Sequence, residues 1–377
     1  MFNIIILGLT SLLTDISTEM VYPLLPVFLT TKLGATPLIV GTIEGIAESL
    51  ASLLKVFSGY FSDKMERRKP FAIMGYSFST IGKVLLYLAT SWPFVLAGRV
   101  ADRLGKGVRT APRDALIAES APPDARGRAF GLHRAMDTLG AAIGVVLAYY
   151  FLTRHPGNYY SVFLYSLIPA VLGVAALFLV KEKVTQVKNA SKKLSLNWND
   201  LDKRLKSFLI LMFIFTLGNS SNQFLLLKAQ NVGFDAKTVL LLYLLYNVIY
   251  DIFSYPAGLI SDRIGRKKML VAGYLVYGLV YFGFGLARTP AAIWVLFGVY
   301  GLYIAFTEGV EKAFVTDIAP ENLRGTLIGL HATLVGIGLL PASILAGALW
   351  NMFGAAAPFY FGGFMGILAA IGIWILI

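Results

Sequence analysis

The sequence contains no cysteine and only three histidines among its 377 residues. Without thiols there is no disulfide framework and no thiolate metal site, and cysteine usage is silent about redox compartment. Charge is scarce as well. Asp, Glu, Lys and Arg make up 14% of the chain, where soluble domains carry about 25%, and that composition excludes an ordinary water-soluble domain. No nucleotide-binding loop, no histidine-rich metal cluster and no nucleophile–base motif rises above chance, and the nine methionines are dispersed rather than gathered into a soft-metal path. The expectation is a protein that is not an enzyme and uses neither metal nor cofactor. A net charge of +12 on a soluble surface would suggest nucleic acid. Here the basic residues sit mainly in short turns between apolar runs, which is the positive-inside pattern, and no nucleic-acid partner is expected.

What the chain has in abundance is oil. Hydrophobic residues account for 57% of it, in runs such as FLILMFIFTLG (208–218) and FGGFMGILAAIGIWILI (361–377). A membrane span needs about 20 apolar residues. Apolar segments at roughly 3–29, 37–61, 71–90, 92–119, 128–152 and 158–180 supply six spans. The polar stretch KEKVTQVKNASKKLSLNWNDLDKRLK (181–206) follows, and then six more spans at roughly 206–229, 236–260, 268–287, 291–317, 325–349 and 356–377. The chain therefore divides into an N-terminal half, 1–180, a cytoplasmic linker, 181–206, and a C-terminal half, 207–377. MFNIIILGLTSLL lacks a charged leader and a small-residue cleavage pattern, so it reads as the first span rather than a cleaved signal. Basic or mixed turns at 64–69, 123–128, 263–268 and 321–325 alternate with nearly uncharged ones at 90–93 and 350–354. That alternation predicts both termini in the cytoplasm of a multi-pass protein of the cell membrane, with the lipid bilayer around it. One chain holds all twelve spans, which predicts a monomer.

The fourth span resists hydropathy. Arg99, Asp102, Arg103, Lys106, Arg109, Arg113 and Asp114 all lie in it, and on a helix they fall within an arc of roughly 140°. Each such residue at a helix centre costs about 2.5–3.5 kcal/mol on the insertion scale. Yet the turn KMERRK and the linker 181–206 are both basic, and only an even number of crossings puts both in the cytoplasm. Two readings stand: a span whose charges face protein or a watery cavity, or an amphipathic helix lying flat in the interface.

The chain also repeats itself. ESAPPDARGRAFGLH (119–133) returns as DIAPENLRGTLIGLH (317–331) at a constant offset of 198 residues. GYFSDKMERRK (59–69) and GLISDRIGRKK (258–268) match Gly59 with Gly258, Asp63 with Asp262 and Arg67 with Arg266. In each copy the glycine is expected where two helices approach closely, the aspartate near the start of the next helix, and the basic cluster on the cytoplasmic side. Arg263 and Gly265 complete the second copy.

These turns resemble the G-x-x-x-D-R-x-G-R-K/R loop of the major facilitator superfamily of secondary transporters. The first copy departs at Lys64 and Glu66; the second fits throughout. In the fourth span, Arg103, Lys106, Gly107 and Arg109 are similar to the R-x-x-Q-G motif of proton-coupled members. The fifth-span antiporter motif G-x-x-x-G-P is present only as Gly140 and Gly144, with Val145 in place of proline, and PLLP (23–26) resembles the drug-efflux branch. The resemblance implies an all-α major facilitator fold: two six-helix bundles rocking around a central site, lined by spans 1, 4, 7 and 10. Those spans do hold much of the intramembrane polarity. Substrate-cavity candidates are Glu19, Arg103, Lys106, Arg109, Asn219, Asn222 and Glu308.

Proton coupling requires a buried carboxylate near a cation. Span position selects Asp15, Glu48 and Asp137, each of which also has a structural reading as an ion-pair partner; Asp137 follows Arg134 by three residues. Arg113 and Asp114 occupy the places of Glu311 and Lys312, and these pairs either bridge the halves or pair within them. His133 and His331 read as helix-end partners. Lys228 reads as snorkelling outward, and Lys83 and Asp251 have no evident role. The function expected is alternating-access transport of a small organic solute with protons, in the direction of export. The rival within transport is uptake or exchange of an organic anion, suggested by the cationic stripe. A non-transporting receptor or scaffold and an ion channel are disfavoured by the buried charges and by the lack of a repeated filter-like segment.

Overall fold

The computed structural model describes residues 2–65, 67–122, 125–182, 202–320 and 323–377; at Val56, Tyr60, Asp63, Lys64 and Gly325 it describes the backbone alone. Among these residues the regular structure is helical: α1 Phe2–Val21, α2 Leu25–Thr31, α3 Pro37–Lys64, α4 Lys69–Tyr87, α5 Trp92–Ser120, α6 Arg126–Arg154, α7 Tyr159–Leu177, α8 Lys203–Gly218, α9 Gln223–Asn231, α10 Ala236–Ile264, α11 Arg266–Leu286, α12 Pro290–Ile318, α13 Arg324–Phe353 and α14 Ala357–Leu376. Helix starts follow their side chains. Asp235 accepts from the Thr238 amide at 2.9 Å, and Thr289 precedes Pro290, whose missing N–H is harmless in a first turn.

Two predicted spans are broken. The first runs from α1 through a 3₁₀ turn at Tyr22–Leu24 into α2, and the seventh breaks between α8 and α9 at residues 219–222. Pro23 and Pro26 lack the amides an α-helix needs there. In the seventh span an asparagine–serine run does the same work, because such side chains compete for backbone hydrogen bonds. The breaks lie about 198 residues apart, as do α5 and α12, which start at Trp92 and Pro290 and are 29 residues each. The repeat seen in the turns therefore extends to helix lengths and interruptions.

The chain forms two compact units, one of Met1–Gly34 with Ile46–Lys192, the other of Ala35–Gly45 with Lys193–Ile377. The first turns of α3 thus group with the C-terminal half. Within the first unit α1 packs on α6 and α7, and α4 on α5 and α7. Within the second, α8 packs on α13 and α14, and α11 on α12 and α14, which is the same arrangement.

Ten helical stretches among the described residues are long and apolar enough to cross a membrane; α4 and α5 are absent from that set. They pack closely on each other. Gly75 and Gly82 on α4 face Gly105 and Gly98 on α5, so close that a Cβ on Gly82 would lie 2.6 Å from the Gly98 carbonyl. The charges of α5 turn inward. Arg99, Asp102, Arg103 and Arg109 are only 2–6% exposed. An interfacial helix with its charges in water would expose them, so the first reading of the fourth span holds. Beyond α7, Glu182 accepts from the amides of Arg68 and Lys69, while Lys69 Nζ donates to the carbonyls of Phe178 and Val180 at 2.9 and 2.7 Å. This clasp ties the start of the linker to α4; residues 183–201 lie outside the described set.

Candidate functional site

The first unit has a charged interior. Glu48 on α3 sits 3.0 Å from Arg103 Nε and 3.6 Å from Arg99 Nη2. Asp102 lies 3.4 Å from both Lys83 Nζ on α4 and Arg99 Nη1. The Tyr22 ring, at the break of the first span, takes both guanidinium groups at 5.0 and 5.6 Å. Lys83, without a role in the sequence, is thus the partner of Asp102. The glycine contacts of α4 and α5 bring it there, and the matched seven-residue glycine spacings were the signal available in the sequence.

One turn and more along α5, Arg109 lies over Tyr76 at 4.4 Å and donates to Ser79 Oγ. Arg113 pairs with its neighbour Asp114 at 2.8 Å and reaches Ser11 at 3.4 Å. Asp15 on α1 has Asp137, Arg109, Glu19 and Lys106 as charged neighbours. Asp137 on α6 faces Arg113, Ser11, His133 and Asp15, and its Oδ1 is buried without a hydrogen-bond partner. The close packing of α1 on α6, where a Cβ on Gly144 would lie 2.5 Å from the Ile16 carbonyl, makes the two aspartates neighbours. The three carboxylates selected from sequence therefore separate into two clusters. Asp15 and Asp137 stand together, with half-buried Glu19 one turn from Asp15 and exposed Lys106 beside it. Glu48 sits in the ion-pair network of Arg99 and Arg103, and Lys106 has both Glu48 and Asp15 as charged neighbours.

The second unit answers with aromatic rings and amides. A cavity of about 220 Å³ opens between α8, α12 and α13, with Phe215, Asn219, Asn222, Tyr300, Tyr303, Glu308 and Glu311 on its walls. Tyr300 Oη donates to Asn222 Oδ1 at 2.7 Å, and Asn219 Nδ2 donates to Tyr303 Oη at 3.3 Å. Tyr250 Oη donates to Glu308 at 2.7 Å and Tyr274 Oη to Glu311 at 2.5 Å. Lys312 Nζ is 3.2 Å from Glu308, and His331 Nε2 is 3.4 Å from Glu311. Arg113, Asp114, Glu311 and Lys312 thus each have a partner inside their own unit. The structure brings Asn219, Asn222 and Glu308 together as cavity residues. Sequence reading missed the tyrosines, although Tyr274, Tyr277 and Tyr281, like Tyr300 and Tyr303, repeat at helical spacing.

At the repeated turns, Arg266 joins Asp262 at 2.5 Å, Asp317 at 3.4 Å and Ser261 Oγ at 2.5 Å. The equivalent of the Arg266–Asp317 pair in the first unit is Arg68–Glu119 at 2.6 Å, 198 residues earlier. Arg68, and not exposed Arg67, is therefore the structural counterpart of Arg266. Gly265, at φ +95, occupies the left-handed region that favours glycine, and Arg263 is exposed. The side chain of Asp63 lies outside the described residues. Close helix approach, expected at Gly59 and Gly258, occurs elsewhere. A Cβ on Gly258 meets nothing within 4 Å and one on Gly59 meets only Ala111 at 3.4 Å. The α3–α5 seam closes instead at Gly107, where an added Cβ would lie 2.7 Å from Leu54 Cβ, and the α10–α12 seam at Gly301, where one would lie 2.5 Å from the Tyr246 carbonyl.

Residues 7–227 and 207–377 each match the sequence profile of the Major Facilitator Superfamily. The chain belongs to that superfamily. It is 38% identical over 98% of its length to an uncharacterised MFS-type transporter of Methanocaldococcus jannaschii, of which it covers 93%. It is 24% identical to the multidrug resistance protein MdtH of Sodalis glossinidius, with 94% of this chain and 88% of that protein aligned. Among solved structures, the nucleoside transporter NupG aligns with a TM-score of 0.84 at 13% identity, covering 100% of this chain and 99% of that one. A D-xylose–proton symporter aligns at 0.78 and 18% identity, covering 100% and 98%. These likenesses carry the fold. As a member of the superfamily the protein is a multi-pass membrane transporter of small molecules and not an enzyme.

Proposed function

We propose that this transporter exports a small organic solute in exchange for protons, by alternating access, as a monomer in the cell membrane with both termini in the cytoplasm. The observation that carries the coupling is the Asp15–Asp137 pair. Two carboxylates share a site beside Arg109, Lys106 and Arg113, and one of their oxygens is buried with no donor. A proton is the natural occupant of such a site, because two facing anions resist simultaneous ionisation while neighbouring cations set how readily the proton leaves. Glu48 has a structural role, held by Arg99 and Arg103. Export is favoured by the likeness to MdtH and by PLLP in the first span. Anion exchange has less support, since Arg99, Arg103, Arg109 and Arg113 of α5 have carboxylate, hydroxyl or ring partners within their own unit.

The test is proton movement in proteoliposomes carrying an internal pH dye, challenged in turn with tetraphenylphosphonium, xylose and benzoate. A dye response to one class, lost in Asp15→Asn and in Asp137→Asn, is the expected result. Silence of the dye while a radiolabelled solute still exchanges would overturn the coupling and return both aspartates to structural pairing.

A further inference from the structure

The internal duplication shows where the two units diverge. Lys83 and Asp102, the ion pair joining α4 to α5, correspond to Tyr281 and Tyr300 at the 198-residue offset, and those rings are 6.3 Å apart between α11 and α12. Lys106 corresponds to Ile304 and Arg109 to Thr307. Where the first unit is ionic, the second is tyrosyl and uncharged, apart from one cluster on α12. In that cluster the sign is reversed, with Glu311 in the place of Arg113 and Lys312 in the place of Asp114.

We infer that the cavity of the second unit is a subsite for a flat aromatic ring system bearing a single positive charge. Deepening the reading of the chain as a solute exporter, this inference names the class of solute. Three features carry it. Phe215, Tyr300 and Tyr303 line the cavity, with Tyr300 and Tyr303 centroids 5.4 Å apart and Phe215 and Tyr303 6.5 Å apart. Such rings attract a cation through their faces. Asn219 commits Nδ2 to Tyr303 and leaves Oδ1 as an acceptor, while Asn222 accepts from Tyr300 and donates to Tyr246, so each amide nitrogen already has an acceptor in the protein. Charge supplies the third feature. Glu308 and Glu311 face the cavity and Lys312 pairs with Glu308, so two carboxylates and a single ammonium group stand at its walls. The volume of about 220 Å³ equals about seven waters at ~30 Å³ each. It holds a fused bicycle and falls below the ~300–1,000 Å³ of a pocket for a whole drug-sized ligand.

The test uses three probes of one shape and different charge: N-methylquinolinium, 1-methylnaphthalene and 1-naphthoate. Equilibrium binding to the full-length protein in nanodiscs is read by probe fluorescence, with no transport involved. N-methylquinolinium is expected to bind at least ten-fold more tightly than 1-methylnaphthalene, and 1-naphthoate more weakly than either. In Glu311→Gln the preference for the cation over the neutral probe is expected to shrink to about two-fold. Tyr303→Phe, which keeps the ring, is expected to retain the preference, and gel filtration confirms that each variant is folded. Equal binding of the cation and its neutral isostere, preference for 1-naphthoate, no binding of any probe, or a preference untouched by Glu311→Gln in a folded variant overturns the inference. Cation binding without any proton-linked movement of the same probe in proteoliposomes leaves the subsite standing and defeats the coupled-export reading instead.

Discussion

Lys83 and Asp102 lie at the centre of the α4–α5 seam, and each meets the other's charge at 3.4 Å. They are not equivalent. Asp102 also has Arg99 at 3.4 Å and Arg103 at 3.8 Å, whereas Asp102 is the carboxylate that Lys83 meets. Removing one partner of a buried pair is destabilising by about 3–5 kcal/mol because it strands the other charge. Asp102→Asn is therefore expected to lower the thermal midpoint in detergent much further than Lys83→Met, which leaves Asp102 with its arginines. The double change Lys83→Tyr with Asp102→Tyr installs the pair that the second unit already uses. It is expected to recover most of what Asp102→Asn loses. A double variant no more stable than Asp102→Asn would mean that the tyrosyl solution does not transfer between the units.

Among the elements, the α4–α5 seam is where sequence and structure diverge most usefully. A charged, glycine-rich helix is legible as unusual from composition, but its partner is not. Only the packing shows that Gly75, Gly82, Gly98 and Gly105 are the contact stripe and that the motif glycines are not. A leucine at Gly82 must push the Gly98 carbonyl and the Asp102 backbone away, since even its Cβ falls within 2.6–2.7 Å of them. Overpacking of this kind costs about 1–3 kcal/mol or more. Gly82→Leu is expected to lower the thermal midpoint by several degrees, while Gly258→Ala, with open space around its new methyl group, leaves it unchanged. Equal effects would show that the seam yields to the extra volume.

For the whole molecule, the absence of cysteine makes topology directly measurable. The alternation of basic and uncharged turns predicts a cytoplasmic side at Arg67 and Arg263 and an outer side at Thr90 and Asn351, four exposed positions. Single cysteines placed there in turn are expected to react with an impermeant maleimide in intact cells at Thr90 and Asn351 only. Arg67 and Arg263 are expected to react after permeabilisation. The reverse pattern would invert the termini and the meaning of export.

Composition, spacing and the offset of 198 residues were enough to establish a helical, duplicated membrane protein with twelve predicted spans, because insertion into lipid leaves a strong, local mark on every stretch of about 20 residues. The turn motifs identified the superfamily for the same reason: their residues are close together in the chain. The sites were legible only in part. Asn219, Asn222 and Glu308 were picked out as polar residues inside apolar spans, and the cavity brings them together. The tyrosines around them looked like ordinary core, since nothing in a sequence tells a ring that lines a cavity from one that fills it. Which charged group meets which was decided by tertiary structure alone. Asp15 joins Asp137, Glu48 joins Arg99 and Arg103, and Lys83 joins Asp102. Those pairings depend on how closely and at what rotation two helices pack, and that depends on glycines and neighbours distant in the chain.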